Sequence, residues 1–583
     1  MQKKKKTKVA IAIIAVSIIL ICGIIYINRN GAKEKVDDWK YGEEVGYDGA
    51  IDTSGSKVSG ITNTQSIIQP GALTAESTMS TGTSTNIGFS TGGAKDVNNF
   101  RENIENGYFP ISTDITYNGL FYDYTFDTGR KEKSTELFSP SYSTAISKDP
   151  ISNNEEYYMT VGLNSNISES DFQRKKLNLV VVLDISGSMS SSFSSYYYDE
   201  KVEEKDKNKT KMQIANESVN ILIDQLNDDD RFGMVLFDNT SYLAKELNLI
   251  SRTDVEAIKE HVLEITPQGG TNFESGYTKA STLFDEYLNI NKDEYENRMI
   301  VITDAMPNYG TTSKAGLMSY VEKNAENGIY TSFIGVGVDF NSELIEQISD
   351  VKGANYYSVH NSSEFKERMG EQFEYMVTPL VFDLQLKLNS DDFEIATVYG
   401  SDTVNKENGS IMNVNTLFPS VTTDTGEVKG GVILLKLNKK NDKTSGEISL
   451  NVSYKDRSGK EYSNSKIVKM ENREEYYDNT GIRKAILLTR YANVLKNWIL
   501  YERCEEDIFL ITTNRGIIDC DYTKQDVYKM LGENERTSVK LSVSNEYKSV
   551  FEKMKQYIQQ ENKFINDESL NQEIELLDML IEI

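Results

Sequence analysis

From Leu177 onward the chain alternates short apolar runs with amphipathic stretches, and no other feature limits the fold as much. LNLVVVLD is an unbroken apolar strand, the pattern of a parallel strand buried on both faces. KMQIANESVNILIDQLN places Met212, Ala215, Val219, Leu222, Ile223 and Leu226 at helical spacing. FGMVLFD, RMIVITDAMPN, IYTSFIGVGVD and ANYYSVH read as further strands. TDVEAIKEHVLEI, FESGYTKASTLFDEYL, SKAGLMSYVEKNAENG, NSELIEQISDVKG and EFKERMGEQFEYM read as helices. Repeated units of this length predict an open, mostly parallel, Rossmann-like α/β sheet with helices on both faces, over residues 173–376.

Ligands of such sheets sit outside the carboxyl ends of the strands. Asp184 ends the first core strand, and Ser186 and Ser188 follow on the loop that leaves it. Thr271 lies in the Gly-rich loop of TPQGGTNFESG, and Asp304 ends the strand of VITDAMPN. These five oxygen-bearing residues are candidate ligands of one hard cation. Mg²⁺ takes about six oxygens and keeps some as water. Two carboxylates and neutral hydroxyls leave such an ion strongly electrophilic and open to a carboxylate from a partner.

DISGSMS, GGTN and TDAMPN, in this order, resemble the metal-ion-dependent adhesion site of von Willebrand factor type A (VWA) domains. The resemblance implies metal-coordinating roles for Asp184, Ser186, Ser188, Thr271 and Asp304. It implies a divalent cation, Mg²⁺ first, with Mn²⁺ and Ca²⁺ as alternatives. Many members carry Gly after the last Asp, where this chain has Ala305. Between Met189 and Met212, an insertion with Tyr196, Tyr197 and Tyr198 is expected at the rim, to contact a partner or to pack back on the domain.

Strand-like, turn-punctuated segments flank the domain: TDITYNGLFYDYTFDTG and EEYYMTVGLNSN before it, and TPLVFDLQLKLN and GEISLNVSYKD after it. The simplest arrangement is a β-sandwich built from residues 92–172 and 377–472, with the VWA-like domain inserted between them. Two separate small β units would each be marginal. GGAKDVNNFRENIENGYFP, YNGLFYDYTFDTG and TPLVFDLQLKL resemble a bacterial group of membrane-anchored VWA proteins, the YfbK-like group. Residues 473–583 turn helical, with Ile482, Ile486, Leu488, Val494, Leu495, Trp498 and Ile499 on GIRKAILLTRYANVLKNWILYERC, and are expected to form a C-terminal helical domain.

The N-terminus opens with a basic tail, residues 1–8, followed by an uncharged stretch from Val9 to Ile27. At 1.5 Å per residue a helix over 9–27 spans about 28 Å, enough for the hydrocarbon core. The lysines place the tail in the cytoplasm and the bulk of the chain outside a single-pass cell membrane. A cleaved signal peptide is the competing reading. Residues 28–91, rich in Ser, Thr and Gly, are expected to be a flexible linker.

The net charge of −26 argues against nucleic-acid binding. Only His261 and His360 are present, and the three cysteines, Cys22, Cys504 and Cys520, form no CxxC. Cys504 and Cys520 form one disulfide or remain two thiols. No P-loop, GxSxG or HExxH occurs. The expected function is non-enzymatic: metal-dependent adhesion to a protein partner that offers an acidic residue. The alternatives are an envelope scaffold with a stabilising metal and a metal-assisted envelope hydrolase, for which no general base stands at a suggestive spacing.

Overall fold

The computed structural model describes residues 35–42, 86–91, 97–112, 114–131, 135–192, 209–304, 310–311, 313–337, 351–359, 369–370, 372–401, 403–405, 411–443, 445–503 and 540–583. The expected membrane helix at 9–27, the tyrosines at 196–198, Ala305, His360 and all three cysteines lie outside these residues. Among the described residues no helix is long and apolar enough to cross a membrane.

The first β elements are β1 (Asn86–Thr91), β2 (Phe138–Lys148) and β3 (Glu155–Ser168). Two helices stand between β1 and β2: α1 (Asn98–Glu105) and α2 (Tyr117–Tyr122). The second corrects the sequence reading, which took YNGLFY as strand. Thr116 caps that helix by accepting from the Gly119 N–H at 3.0 Å, and the buried Leu120 and Phe121 hold it down.

The inserted domain has a six-stranded sheet. Its strands are β4 (Lys176–Asp184), β5 (Arg231–Phe237), β6 (Ser241–Leu249), β7 (Tyr295–Thr303), β8 (Ile329–Val336) and β9 (Asn355–Val359). The spatial order is β9-β8-β7-β4-β5-β6, parallel except for the antiparallel edge strand β6. Helices α3 (Lys211–Ile223) and α4 (Val255–Leu263) share a core with one face through Val219, Leu222, Ile258 and Val262. Helices α5 (Phe273–Thr282) and α6 (Lys314–Glu326) cover the other through Phe273, Tyr277, Leu317 and Val321. Val180 and Val182 point into the second core and Val181 and Leu183 into the first, which is why the run from Leu179 to Leu183 is apolar at every position.

The chain then returns to the first sheet with β10 (Val381–Asn389), β11 (Phe393–Tyr399), β12 (Ile411–Ser420), β13 (Val432–Lys439), β14 (Gly446–Asp456) and β15 (Glu461–Met470). Strands from both sides of the insertion form one eleven-stranded sheet, with main order β11-β13-β3-β1-β12-β10-β14-β15 and β2 beside β3. It bends around one core, in which Phe138 of β2 meets Tyr454 of β14 edge-on at 5.5 Å. The two flanks are therefore one β unit, as the sequence suggests, but its layers are halves of a continuous sheet.

Strand β1 joins the halves, pairing with β3 on one side and β12 on the other. It lies inside the stretch 28–91 expected to be linker. NIGFST looks too polar to fold, yet Phe89 is fully buried and Gly88 fits where a Cβ would meet the Val428 side chain at 2.0 Å. Residues 35–42, also expected to be linker, lie along β6.

Helices α7 (Thr480–Arg503), α8 (Asn545–Ile565) and α9 (Asn571–Glu582) end the chain. They do not form a separate unit: Ile486, Trp498, Phe551 and Leu577 share a core with Phe100 and Ile104 of α1. Arg101 of α1 forms a buried ion pair with Glu573 of α9. Arg490 of α7 binds Glu156 of β3 at 2.7 Å.

Candidate functional site

A parallel sheet covered on both faces leaves its strand ends as the open ground for a site. β4 and β7 are neighbours, with Leu183 opposite Ile302, so the carboxylates that follow them emerge side by side. Asp184 and Asp304 are both fully buried. Asp184 Oδ1 accepts from the Ser186 N–H at 2.8 Å, and its Oδ2 accepts from the Thr303 hydroxyl at 2.6 Å. Burial and the neighbouring Asp304 charge push the Asp184 carboxyl up to about 7, against the pull of the Ser186 and Thr303 hydrogen bonds.

Ser186 and Ser188 lie on the tight turn after β4, and their hydroxyl oxygens are 3.0 Å apart. Both are buried. The loop bearing Thr271 is hung from this turn and from the end of β5. The Gln268 N–H donates to Ile185 O at 2.5 Å, and the Gly187 N–H donates to Gly269 O at 3.0 Å. On the far side, the Asn272 N–H donates to Asp238 O at 2.7 Å and the Gly270 N–H to Asn239 Oδ1 at 2.7 Å. Gly269 has φ +68°, and a Cβ there would stand 2.9 Å from Asp238 Oδ2. Only glycine satisfies both the left-handed backbone and the close approach. Thr271, 2% exposed, is thereby carried to the same end of the sheet as the other four.

Three further residues belong to this end. Lys211, the first residue of α3, is fully buried with its Nζ 3.2 Å from Asp304 Oδ2. Thr303 orients Asp184, and Asp238 shapes the Thr271 loop. None was singled out from the sequence. Lys211 alone left a trace there, because a lysine in the first turn of a helix opposes the helix dipole.

The donors are oxygen throughout, two carboxylates and three hydroxyls, and suit a hard divalent cation better than a soft one. Among the described residues no cluster of three His, Cys, Asp or Glu offers a site of another kind. His261 is remote from it, on α4, stacked on Trp39 with ring centroids 5.4 Å apart. A cavity of about 690 Å³ lies at the opposite end of the sheet, between the domain and the eleven-stranded sheet, lined by Lys175, Tyr295, Tyr330, Phe382 and Arg457 among others.

Residues 178–371 match the family model of the von Willebrand factor type A domain, so the inserted α/β unit is a VWA domain. Inter-alpha-trypsin inhibitor heavy chain H2 of Mus musculus is 22% identical over 212 residues, covering 36% of this chain and 20% of the relative. The protein YfbK of Escherichia coli strain K12, described as uncharacterised, is 25% identical over 215 residues, 36% of this chain and 33% of its own length. The chain thus spans about a fifth to a third of the curated relatives it matches. Among solved structures, a von Willebrand factor type A protein from Catenulispora acidiphila aligns with TM-score 0.39 at 15% identity, covering 64% of this chain and 83% of that one. The ArnB paralog VWA2 from Sulfolobus acidocaldarius aligns with TM-score 0.33 at 14% identity, covering 76% and 96%.

Proposed function

We propose that the VWA domain holds a divalent cation at Asp184, Ser186, Ser188, Thr271 and Asp304 and uses it to grip a protein partner through an acidic side chain. The observation that carries this reading is the buried pair Asp184 and Asp304, two carboxylates brought together away from water beside the Ser186 and Ser188 hydroxyls. Like charges in a buried site raise each other's cost of ionisation, and a cation relieves both. Lys211 offsets one of the two negative charges. A bound Mg²⁺, or Mn²⁺ or Ca²⁺ in its place, would supply an electrophilic position for a partner's carboxylate. The residues around it bind and orient: Thr303 and the Ser186 N–H fix Asp184, and the Gly269 turn presents Thr271.

The reading is of a binding site rather than a catalytic one. With the basic tail at 1–8 and the apolar stretch at 9–27, it places the domain outside a cell membrane on a single anchor. The test is capture on the intact protein. Wild type and Asp184→Ala are displayed in their native membrane, and neighbours are cross-linked in Mg²⁺ and in chelator. A partner held by wild type in Mg²⁺ and lost in chelator and in Asp184→Ala is the expected result. A partner held equally in all conditions points instead to a scaffold that works through other surfaces.

A further inference from the structure

Residues 35–42 run along the outer edge of β6 and over α4 toward the Thr271 loop. The Val36 N–H donates to Arg252 O at 2.9 Å, the Asp254 N–H donates to Val36 O at 2.9 Å, and the Lys40 N–H donates to Ala244 O at 2.8 Å. Asp38 accepts from the buried Lys245 ammonium at 3.0 Å and from Asn248 at 2.6 Å. Trp39 is 7% exposed, stacked on His261, while Asp37 meets the same imidazole at 2.9 Å. This segment covers a sheet edge that would otherwise present its backbone to solvent.

Its last side chain reaches the base of the loop that carries Thr271. Tyr41 OH accepts from Gln268 Nε2 at 3.1 Å, and its ring stands edge-on to Tyr242 at 5.4 Å. Tyr242 OH in turn donates to Asp238 Oδ2 at 3.2 Å. Gln268 leads into the Gly269–Asn272 loop, and Asp238 O accepts from the Asn272 N–H at the loop's other end. Two routes therefore run from the segment to the loop that carries Thr271.

We propose that residues 35–42 act as a clasp that holds the Thr271 loop in place for the cation, with Tyr41 as the positioning residue and Trp39 as the anchor. The proposal rests on the metal-site reading above, but its first consequence is independent of any ion. A loop held from both sides by Tyr41 exchanges its amides slowly, and a loop released on one side exchanges them faster. In sequence the clasp stands between the apolar stretch at 9–27 and the domain.

The test uses full-length protein carrying Trp39→Ala or Tyr41→Phe beside wild type and Asp184→Ala. Amide hydrogen exchange is followed at Gln268, Gly270 and Asn272 in chelator, and Mg²⁺ affinity is measured by calorimetry. Trp39→Ala is expected to speed exchange at these amides about ten-fold with core strand β4 unchanged, and to weaken Mg²⁺ by a similar factor. Tyr41→Phe keeps the ring and loses the Gln268 bond, so it is expected to give a smaller effect of the same sign. Unchanged loop exchange in both variants overturns the clasp, whatever the metal does. Faster exchange with Mg²⁺ affinity equal to wild type overturns its coupling to the site. If wild type and Asp184→Ala both fail to bind Mg²⁺ while the loop responds, the metal reading fails and the clasp remains a structural brace only.

Discussion

Replacing Lys211 by methionine removes a buried positive charge and keeps most of the side-chain volume. Its Nζ lies 3.2 Å from Asp304 Oδ2, with both side chains fully out of water. At an effective dielectric of about 20, unit charges at that separation attract by about 5 kcal/mol. Desolvation of the ammonium takes part of this back, and breaking a buried pair by removing one partner typically costs about 3–5 kcal/mol. The aliphatic stem also matters, because a Cβ at Gly337 would meet Lys211 Cε at 2.5 Å, and methionine can fill most of that contact. The expected loss for Lys211→Met in chelator is therefore about 3 kcal/mol, nearly all of it electrostatic. Saturating Mg²⁺ supplies positive charge beside the same carboxylates, so the loss is expected to shrink by more than half. Urea unfolding of wild type and variant, each with chelator and with Mg²⁺, gives the four free energies required. An equal loss in both conditions would refute the idea that lysine and ion answer the same charge demand.

Thr303→Val removes the hydroxyl that donates to Asp184 Oδ2 at 2.6 Å and should cost about 1.5–3 kcal/mol in the same urea assay. Gly269→Ala forces a side chain into a φ of +68° and against Asp238 Oδ2 at 2.9 Å, so it should cost more than about 1 kcal/mol and weaken Mg²⁺ in a calorimetric titration. Glu156 accepts from Arg490 at 2.7 Å and Lys436 at 2.8 Å, and Glu156→Gln should destabilise the protein by about 3–5 kcal/mol by chemical denaturation. Burial raises the Glu156 carboxyl, but Arg490 and Lys436 outweigh it and hold it below the ordinary glutamate value of 4.5. Its contribution is thus complete above about pH 4.5 and lost as pH falls through the lower folded value. Melting curves from pH 6 to 3 should show a steeper acid loss for wild type than for Glu156→Gln.

The inserted domain was legible because its central strands are buried on both faces, so Leu179–Leu183 and Met299–Ile302 carry an unbroken apolar signal. Strand β6, SYLAKELNL, was not, because an edge strand is free to carry Lys245 and Glu246, which pair with Asp38 and Lys40 of the segment 35–42 far away in sequence. YNGLFY alternates like a strand, and only the Thr116 cap and the core around Leu120 make it helical. β1 was hidden for the opposite reason: Ile87, Phe89 and a glycine suffice in a central strand whose neighbours supply the rest of the core. The C-terminal helices announced themselves by period but not by partner, since Trp498 meets Phe109 from the other end of the chain. At the candidate site, the five oxygen-bearing residues stood out through motif and strand-end position. Lys211, Thr303 and Asp238 act on those five across the fold, and nothing local in the sequence marks such contacts beyond the ill-placed lysine.

Asp184 and its neighbours are expected to take up a divalent cation. Calorimetric titration of Mg²⁺ into full-length wild type and Asp184→Ala near neutral pH tests it most directly. The account predicts one ion bound per wild-type chain and no measurable heat of binding in the variant, with both proteins folded. Absence of binding in folded wild type, or equal binding in the variant, would contradict it.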